Sequence, residues 1–376
     1  MTPRAYAALC LLGLSSLPSC GVFRHVNVEP LATTSQRPSN VGAYVAVTDG
    51  EEALTELSPG NFRVYENEQL VPPEQSELTL LDRSLVAAHQ AVLLVDMSGA
   101  KTPAERAKAA KAAQGFVQKV TAHQPVMVFA YDGGPSLVPI ATLPRGSQAV
   151  KMSALESFTP RDPSRNLHGA ILAGLEKLDA ALAQSGKPVR AGTLIVFASG
   201  PDLANRIDRD RVHDAVWQSP HDVLGITIGL GAQTDAIESL ARRGLVRAQS
   251  ADTLPIAFEE AASKTLDELQ KHYLVSYCSP ARAGTRRLRL EVTYTNKAGE
   301  EHRGDFEVEF SAKGFGPGCN PQVTPRFTFR PRAERADTSQ PSGDGDGKSG
   351  KPADSGARDP GDDAPVAPPD QSGYAP

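Results

Sequence analysis

The residues Ala91-Val92-Leu93-Leu94-Val95 form an apolar run that no polar side chain interrupts, bounded by Gln90 and Asp96. A strand with one wet face alternates apolar and polar residues. A strand apolar on both faces must be covered on both, as in a parallel sheet held between helix layers. Pro125–Tyr131, Thr193–Phe197 and Val223–Leu230 read the same way. Amphipathic helices lie between them. Thr102-Pro103-Ala104-Glu105 is a capping box with proline at the first helical position, and Ala107, Ala110, Ala113, Val117 and Val120 follow at helical spacing. Asn166–Ala183, Asp208–Trp217 and Pro255–His272 are further helices; Ser136–Ala141 and Val246–Ala248 are shorter strands. The alternation predicts an α/β fold with a doubly wound, mostly parallel sheet over residues 88–272.

On both sides of this region the period changes to two. Val41, Ala43, Val45 and Val47 share one face before the Asp49-Gly50 turn, Phe62–Tyr65 alternates after Pro59-Gly60, and Ser76–Leu81 is a third candidate strand. Residues 40–86 thus form a β segment. After the long helix, Tyr273–Tyr277 reads as a strand. Leu288, Leu290, Val292 and Tyr294 then alternate with Arg287, Arg289, Glu291 and Thr293, and Phe306, Val308 and Phe310 follow the Asn296–Gly299 turn. Residues 273–325 form a second β segment.

The first residues carry a different message. Arg4 precedes an uncharged, mostly apolar stretch, Ala5–Leu17, too short for a membrane span of roughly 20 residues. The layout is that of a signal peptide over residues 1–19. Leu17-Pro18-Ser19-Cys20-Gly21 resembles the lipobox of bacterial lipoproteins, with Pro18 an unusual middle residue. The resemblance implies a lipid, palmitate included, on Cys20 and a membrane-anchored lipoprotein of the cell envelope, periplasmic or on the outer surface. Several acyl chains on one cysteine hold firmly where a single chain holds marginally. An ordinary secretory signal is the alternative. Residues 20–39 read as the lipidated tether. From Pro331 to residue 376 the only aliphatic side chain larger than alanine is Val366, so this tail is expected to be disordered.

About 290 residues remain between tether and tail, enough for one large domain or two smaller ones. The net charge of −5 and the lack of a dense basic run argue against a nucleic-acid partner. Of four cysteines, Cys10 leaves with the signal and Cys20 takes the lipid. Cys278 and Cys319 remain as an even pair in an exported chain, which favours a disulfide over two free thiols. Closing a loop of about 40 residues stabilises by roughly 4 kcal/mol. No Cys/His spacing suggests zinc.

Ligands of a doubly wound sheet collect at the carboxyl ends of its strands. Asp96-Met97-Ser98-Gly99-Ala100 sits there. This loop and the order of elements around it resemble a von Willebrand factor type A domain. So do Asn166-Leu167 at a helix start and the stretch from Val223 to Gly231, and the two β segments resemble flanks of some bacterial members. The family carries Asp-x-Ser-x-Ser here, completed by a threonine and an aspartate from later loops, as a metal-ion-dependent adhesion site. Its metal, usually magnesium, accepts an acidic group of a protein partner. Asp96 and Ser98 match the first two ligands and are the residues left to hold a metal, magnesium being the implied ion. Ala100, Arg165 and Ser199 stand where the third oxygen, the threonine and the aspartate belong. Asp162, Ser164 and Asp202 are the nearby oxygens that would have to substitute. The site therefore reads as degenerate, without a resident cofactor, and a salt bridge from Arg165 to Asp96 is expected in the metal's place.

The resemblance implies a non-enzymatic protein that binds or scaffolds a partner protein at this edge and reaches the membrane through its lipid. A structural envelope protein without a specific ligand is the first alternative. A serine hydrolase built on Ser98, Asp96 and His168 is the second, although Ser98 lacks the glycine two residues earlier that a nucleophile elbow requires. No phosphate loop or dinucleotide fingerprint is present.

Overall fold

The computed structural model describes residues 26–50, 52–148, 151–229 and 237–328. The stretch read as a signal peptide, Cys20 and the stretch from Pro331 lie outside the described residues. The chain begins with β1 (Val26–Gln36), β2 (Asn40–Asp49), β3 (Glu52–Ala53), β4 (Phe62–Glu66), β5 (Gln69–Leu70), a single turn α1 (Pro73–Ser76) and β6 (Thr79–Leu81). The alternating region follows: β7 (Ala87–Asp96), α2 (Pro103–Thr121), β8 (Val126–Tyr131), β9 (Val138–Leu143), α3 (Ser153–Glu156), α4 (Leu167–Gln184), β10 (Val189–Ala198), α5 (Arg209–Gln218), β11 (Asp222–Ile228), β12 (Leu245–Ala248) and α6 (Leu254–Gln270). Then come β13 (His272–Cys278), β14 (Thr285–Thr295) and β15 (Glu301–Ser311).

The central sheet has the order β12-β11-β10-β7-β8-β9, parallel except for β9, which returns antiparallel to β8. The fold is α/β and doubly wound, as the apolar runs require. Leu93, Val95, Ile195 and Phe197 pack on one face against Phe116, Val117 and Val120 of α2 and Phe258 of α6. Val92, Leu94, Leu194 and Val196 pack on the other against Ile171, Leu175 and Leu178 of α4 and Val212 and Val216 of α5. Ala107 does not join this core: it is exposed, in the first turns of α2, while Ala109, Ala112 and Phe116 are buried. A run of alanines fits two adjacent helix faces equally well, so spacing alone does not select one. No helix among the described residues is long and apolar enough to cross a membrane.

The two β segments do not form separate modules. β13 from the far end of the chain inserts between β2 and β6, giving the sheet β1-β2-β13-β6, and β4 pairs with β14 in the sheet β15-β14-β4-β5. The inner faces share one core, including Val45, Val64, Tyr277, Leu290 and Phe306. Part of the stretch assigned to a tether is strand, because Val26–Gln36 pairs along β2 with only Val26 and Val28 deeply buried. Pro30 and the polar run Thr33-Thr34-Ser35-Gln36 hide its alternation. Only Thr79–Leu81 of the Ser76–Leu81 stretch is strand; Pro72-Pro73 starts a helical turn that ends at Ser76. The last long helix stops at Gln270, and His272 already belongs to β13, paired with Ala46 of β2. Cys278 and Cys319 form the disulfide, tying the end of β13 to the segment after β15.

Candidate functional site

Chain order fixes where loops diverge from the sheet. β7 lies centrally, and the chain moves from it to β8 on one side and, through α4, to β10 on the other. The carboxyl end of β7 is therefore the point where the winding reverses, and loops diverge from it. Asp96 is the last residue of β7 and is fully buried.

Ser98 and Gly99 each have a structural task in the loop that follows. Ser98 donates to Asp96 Oδ1 from its backbone nitrogen at 2.8 Å and its hydroxyl at 2.6 Å. Gly99 N donates to the Pro163 carbonyl at 2.9 Å, which joins this loop to the one carrying Arg165. That second loop is held by Asp132, whose carboxylate accepts from Gly134 N at 2.7 Å and Arg161 N at 2.8 Å. Arg165 is thereby delivered to Asp96. Its Nε lies 2.7 Å from Oδ2, Nη1 donates to the Pro201 carbonyl at 2.9 Å, and Nη2 donates to Ser199 Oγ at 3.0 Å. Ser199 completes the shell, donating to Asp96 Oδ2 from its nitrogen at 2.8 Å and its hydroxyl at 2.5 Å. Gly200 leaves the space for the guanidinium: a Cβ there would stand 2.7 Å from Arg165 Nη1.

A second cation had no counterpart in the sequence reading. Lys101 Nζ lies 3.7 Å from Asp96 Oδ1 and donates to the Ser98 carbonyl at 2.5 Å. Its place directly after the loop was the available signal. Burial alone would push the Asp96 carboxyl up. The charges of Lys101 and Arg165, with hydrogen bonds from Ser199 and Ser98, outweigh burial and hold it below the ordinary value. Burial pulls the Lys101 ammonium below its ordinary value, although Asp96 opposes this.

No protein-family profile matches the chain, and no curated protein does. Solved structures similar to it include a von Willebrand factor type A protein from Catenulispora acidiphila, at 12% identity and a TM-score of 0.42 over 76% of this chain and 72% of that one. Proximal thread matrix protein 1 from the mussel byssus is 13% identical at a TM-score of 0.37, over 48% of each chain. Manganese-loaded TRAP from Plasmodium vivax is 13% identical at a TM-score of 0.36, over 68% of this chain and 99% of that one. The chain thus spans about half the length of the mussel protein it matches.

The donors around Asp96 do not fit a divalent cation. Hard cations take several oxygen ligands, usually more than one of them charged. Here both oxygens of the carboxylate already accept from serine hydroxyls, and two side-chain cations lie against it. Ala100 supplies no oxygen. The candidate substitutes serve their own loops: Asp162 Oδ1 accepts from Ser164 N at 2.9 Å and Oγ at 2.7 Å, and Asp202 accepts from His168 N at 3.2 Å and Asn205 N at 2.8 Å. The hydrolytic arrangement is not assembled either. Ser98 directs its hydroxyl to Asp96, while the His168 ring engages the Ile207 carbonyl at 3.0 Å. No hydrogen bond joins Ser98 to His168 among the described residues.

Proposed function

We propose that this protein is a lipid-anchored cell-envelope protein whose type A-like domain binds or scaffolds another protein through the carboxyl edge of its sheet, without a metal. The observation that carries this reading is the 2.7 Å ion pair between Arg165 and Asp96. An adhesion site of the family kind recruits a partner through an exposed cation. Here an internal guanidinium neutralises the first ligand position and ties three loops together, so the edge is pre-organised without an ion. Leu203, whose nitrogen donates to the Arg165 carbonyl, is 58% exposed on the same rim and offers an apolar contact. The anchor rests on the Leu17–Cys20 motif.

Calorimetric titration of the purified chain with magnesium or manganese should show no affinity tighter than millimolar. Proximity labelling in the protein's own cells should mark the same partner with and without a chelator, and lose it in Leu203→Asp. Micromolar metal affinity that disappears in Asp96→Ala would defeat the metal-free reading. A clickable palmitate should label the wild type but not Cys20→Ser.

A further inference from the structure

At the opposite edge of the central sheet from Asp96, the β sandwich and the α/β layers border a half-open cavity of about 680 Å³. Small-molecule sites fall at about 300–1,000 Å³ and pair apolar walls with a few converging polar groups. The starts of β7 and β8 and the C-terminal ends of α4 and α6 meet β6 and β13 there, so residues distant in sequence share the lining.

We propose that this cavity binds a small organic anion with an apolar body, such as a medium-chain carboxylate. Leu80, Leu182 and Leu274 supply apolar wall. Arg83, Arg145 and Lys187 also line it, against the single carboxylate of Asp82, which accepts from Ser84 N at 2.8 Å. None of the three cations has a salt-bridge partner among the described residues; Lys187 Nζ donates to the Leu85 carbonyl, at 3.0 Å. The lining therefore carries more positive than negative charge, Arg83 and Arg145 both acting on the one carboxylate of Asp82.

Gln124 sharpens the assignment. It lines the cavity, is 3% exposed, and its Nε2 has no hydrogen-bond partner among the described residues. Buried amide donors without an acceptor are rare and costly, so a small side-chain shift that brings Nε2 to an acceptor oxygen on a bound molecule removes a real deficit. His272 also lines the cavity and is held by stacking on Tyr44, with ring centroids 5.6 Å apart. An anionic head among the arginines, the amide and the lysine, with its hydrocarbon against the leucines, matches each part of the surface. A cationic or purely apolar molecule matches only some.

The test is calorimetry of the purified full-length chain with decanoate, decanol and decyltrimethylammonium. Decanoate should bind with one-to-one stoichiometry, decanol about tenfold or more weaker, which is about 1.4 kcal/mol, and the ammonium not at all. Arg83→Ala/Arg145→Ala and Gln124→Leu should each weaken decanoate, and Ala181→Trp, which fills the cavity from α4, should abolish it. Circular dichroism checks that each variant is folded. If Ala181→Trp unfolds, the double arginine variant decides, since Arg145 is exposed and tolerates replacement. Absence of decanoate binding, equal affinity for decanol, or affinity unchanged in the double arginine variant overturns the proposal.

Discussion

Arg165 illustrates how one side chain sets the physics of a loop edge. A threonine at that position would offer an oxygen; arginine brings a fixed charge and a forked donor set that reaches Asp96, Ser199 and the Pro201 carbonyl together. Asp96 is fully buried and the Arg165 side chain is 12% exposed, so removing the arginine leaves a buried charge with poorer compensation. Arg165→Ala should lower stability by about 3 kcal/mol, read from urea melts. Lys101 and the two serines limit the loss. Arg165→Lys should recover only part of it, because a single ammonium nitrogen does not span the positions from which Nε, Nη1 and Nη2 reach their three acceptors. A loss below about 0.5 kcal/mol, the scale of an ordinary surface change, would mean that Asp96 is held by the serines alone.

At the scale of elements, the loop after β7 is fixed from both ends. β7 closes at Asp96, and the cap of α2, Thr102, directly follows Lys101 at the far end of the loop. Thr102 Oγ1 accepts from Glu105 N at 3.3 Å, and Glu105 Oε2 accepts from Thr102 N at 2.8 Å. Losing such a cap costs about 1 kcal/mol. Thr102→Ala should lower stability by that amount in denaturant melts, and should speed amide exchange at Ser98 and Gly99, which depend on the same loop. Unchanged exchange there would show that the contact of Gly99 with Pro163 suffices to hold the loop.

The whole molecule is decided by how the two ends of the chain combine. β13 lies between β2 and β6, so the sandwich cannot close until the α/β region between them has been traversed. The disulfide between Cys278 and Cys319 spans 41 residues within this late part. Cys278→Ser/Cys319→Ser should lower stability by roughly 2–4 kcal/mol, measured as a shift in the denaturant midpoint. The junction also carries a pH dependence. Burial lowers the His272 pKa from 6.5 to about 3, and burial also holds His89, whose Nε2 lies 2.8 Å from Tyr44 Oη, well below its ordinary value. The unfolded chain therefore binds protons that the folded chain refuses. Stability is complete above pH 6.5 and falls as the pH drops from there toward about 3 for His272, by roughly 1.4 kcal/mol per pH unit for a fully refused proton. Thermal melts between pH 7 and 5 should show this slope, and His272→Gln should reduce it to the share of His89. An equal slope in the variant would place the effect elsewhere.

Much of this was legible in the residues themselves. Val92–Val95 had to be covered on both faces because no polar side chain interrupts them, and that alone required helices on both sides of a parallel sheet. The loop after Asp96, the candidate residues Arg165 and Ser199 that meet it, and the pairing of Cys278 with Cys319 were likewise visible, since each depends on residue type at a given place. Other features depend on which segments meet. Val26–Gln36 becomes a strand only because β2 offers it an edge, and the two β segments form one sandwich only because β13 pairs with β2 and β6. Lys101 joins Asp96 and Gln124 faces a shared cavity for the same reason. Local periodicity records what a segment must bury; which partner buries it is a long-range choice, settled when the whole chain has packed.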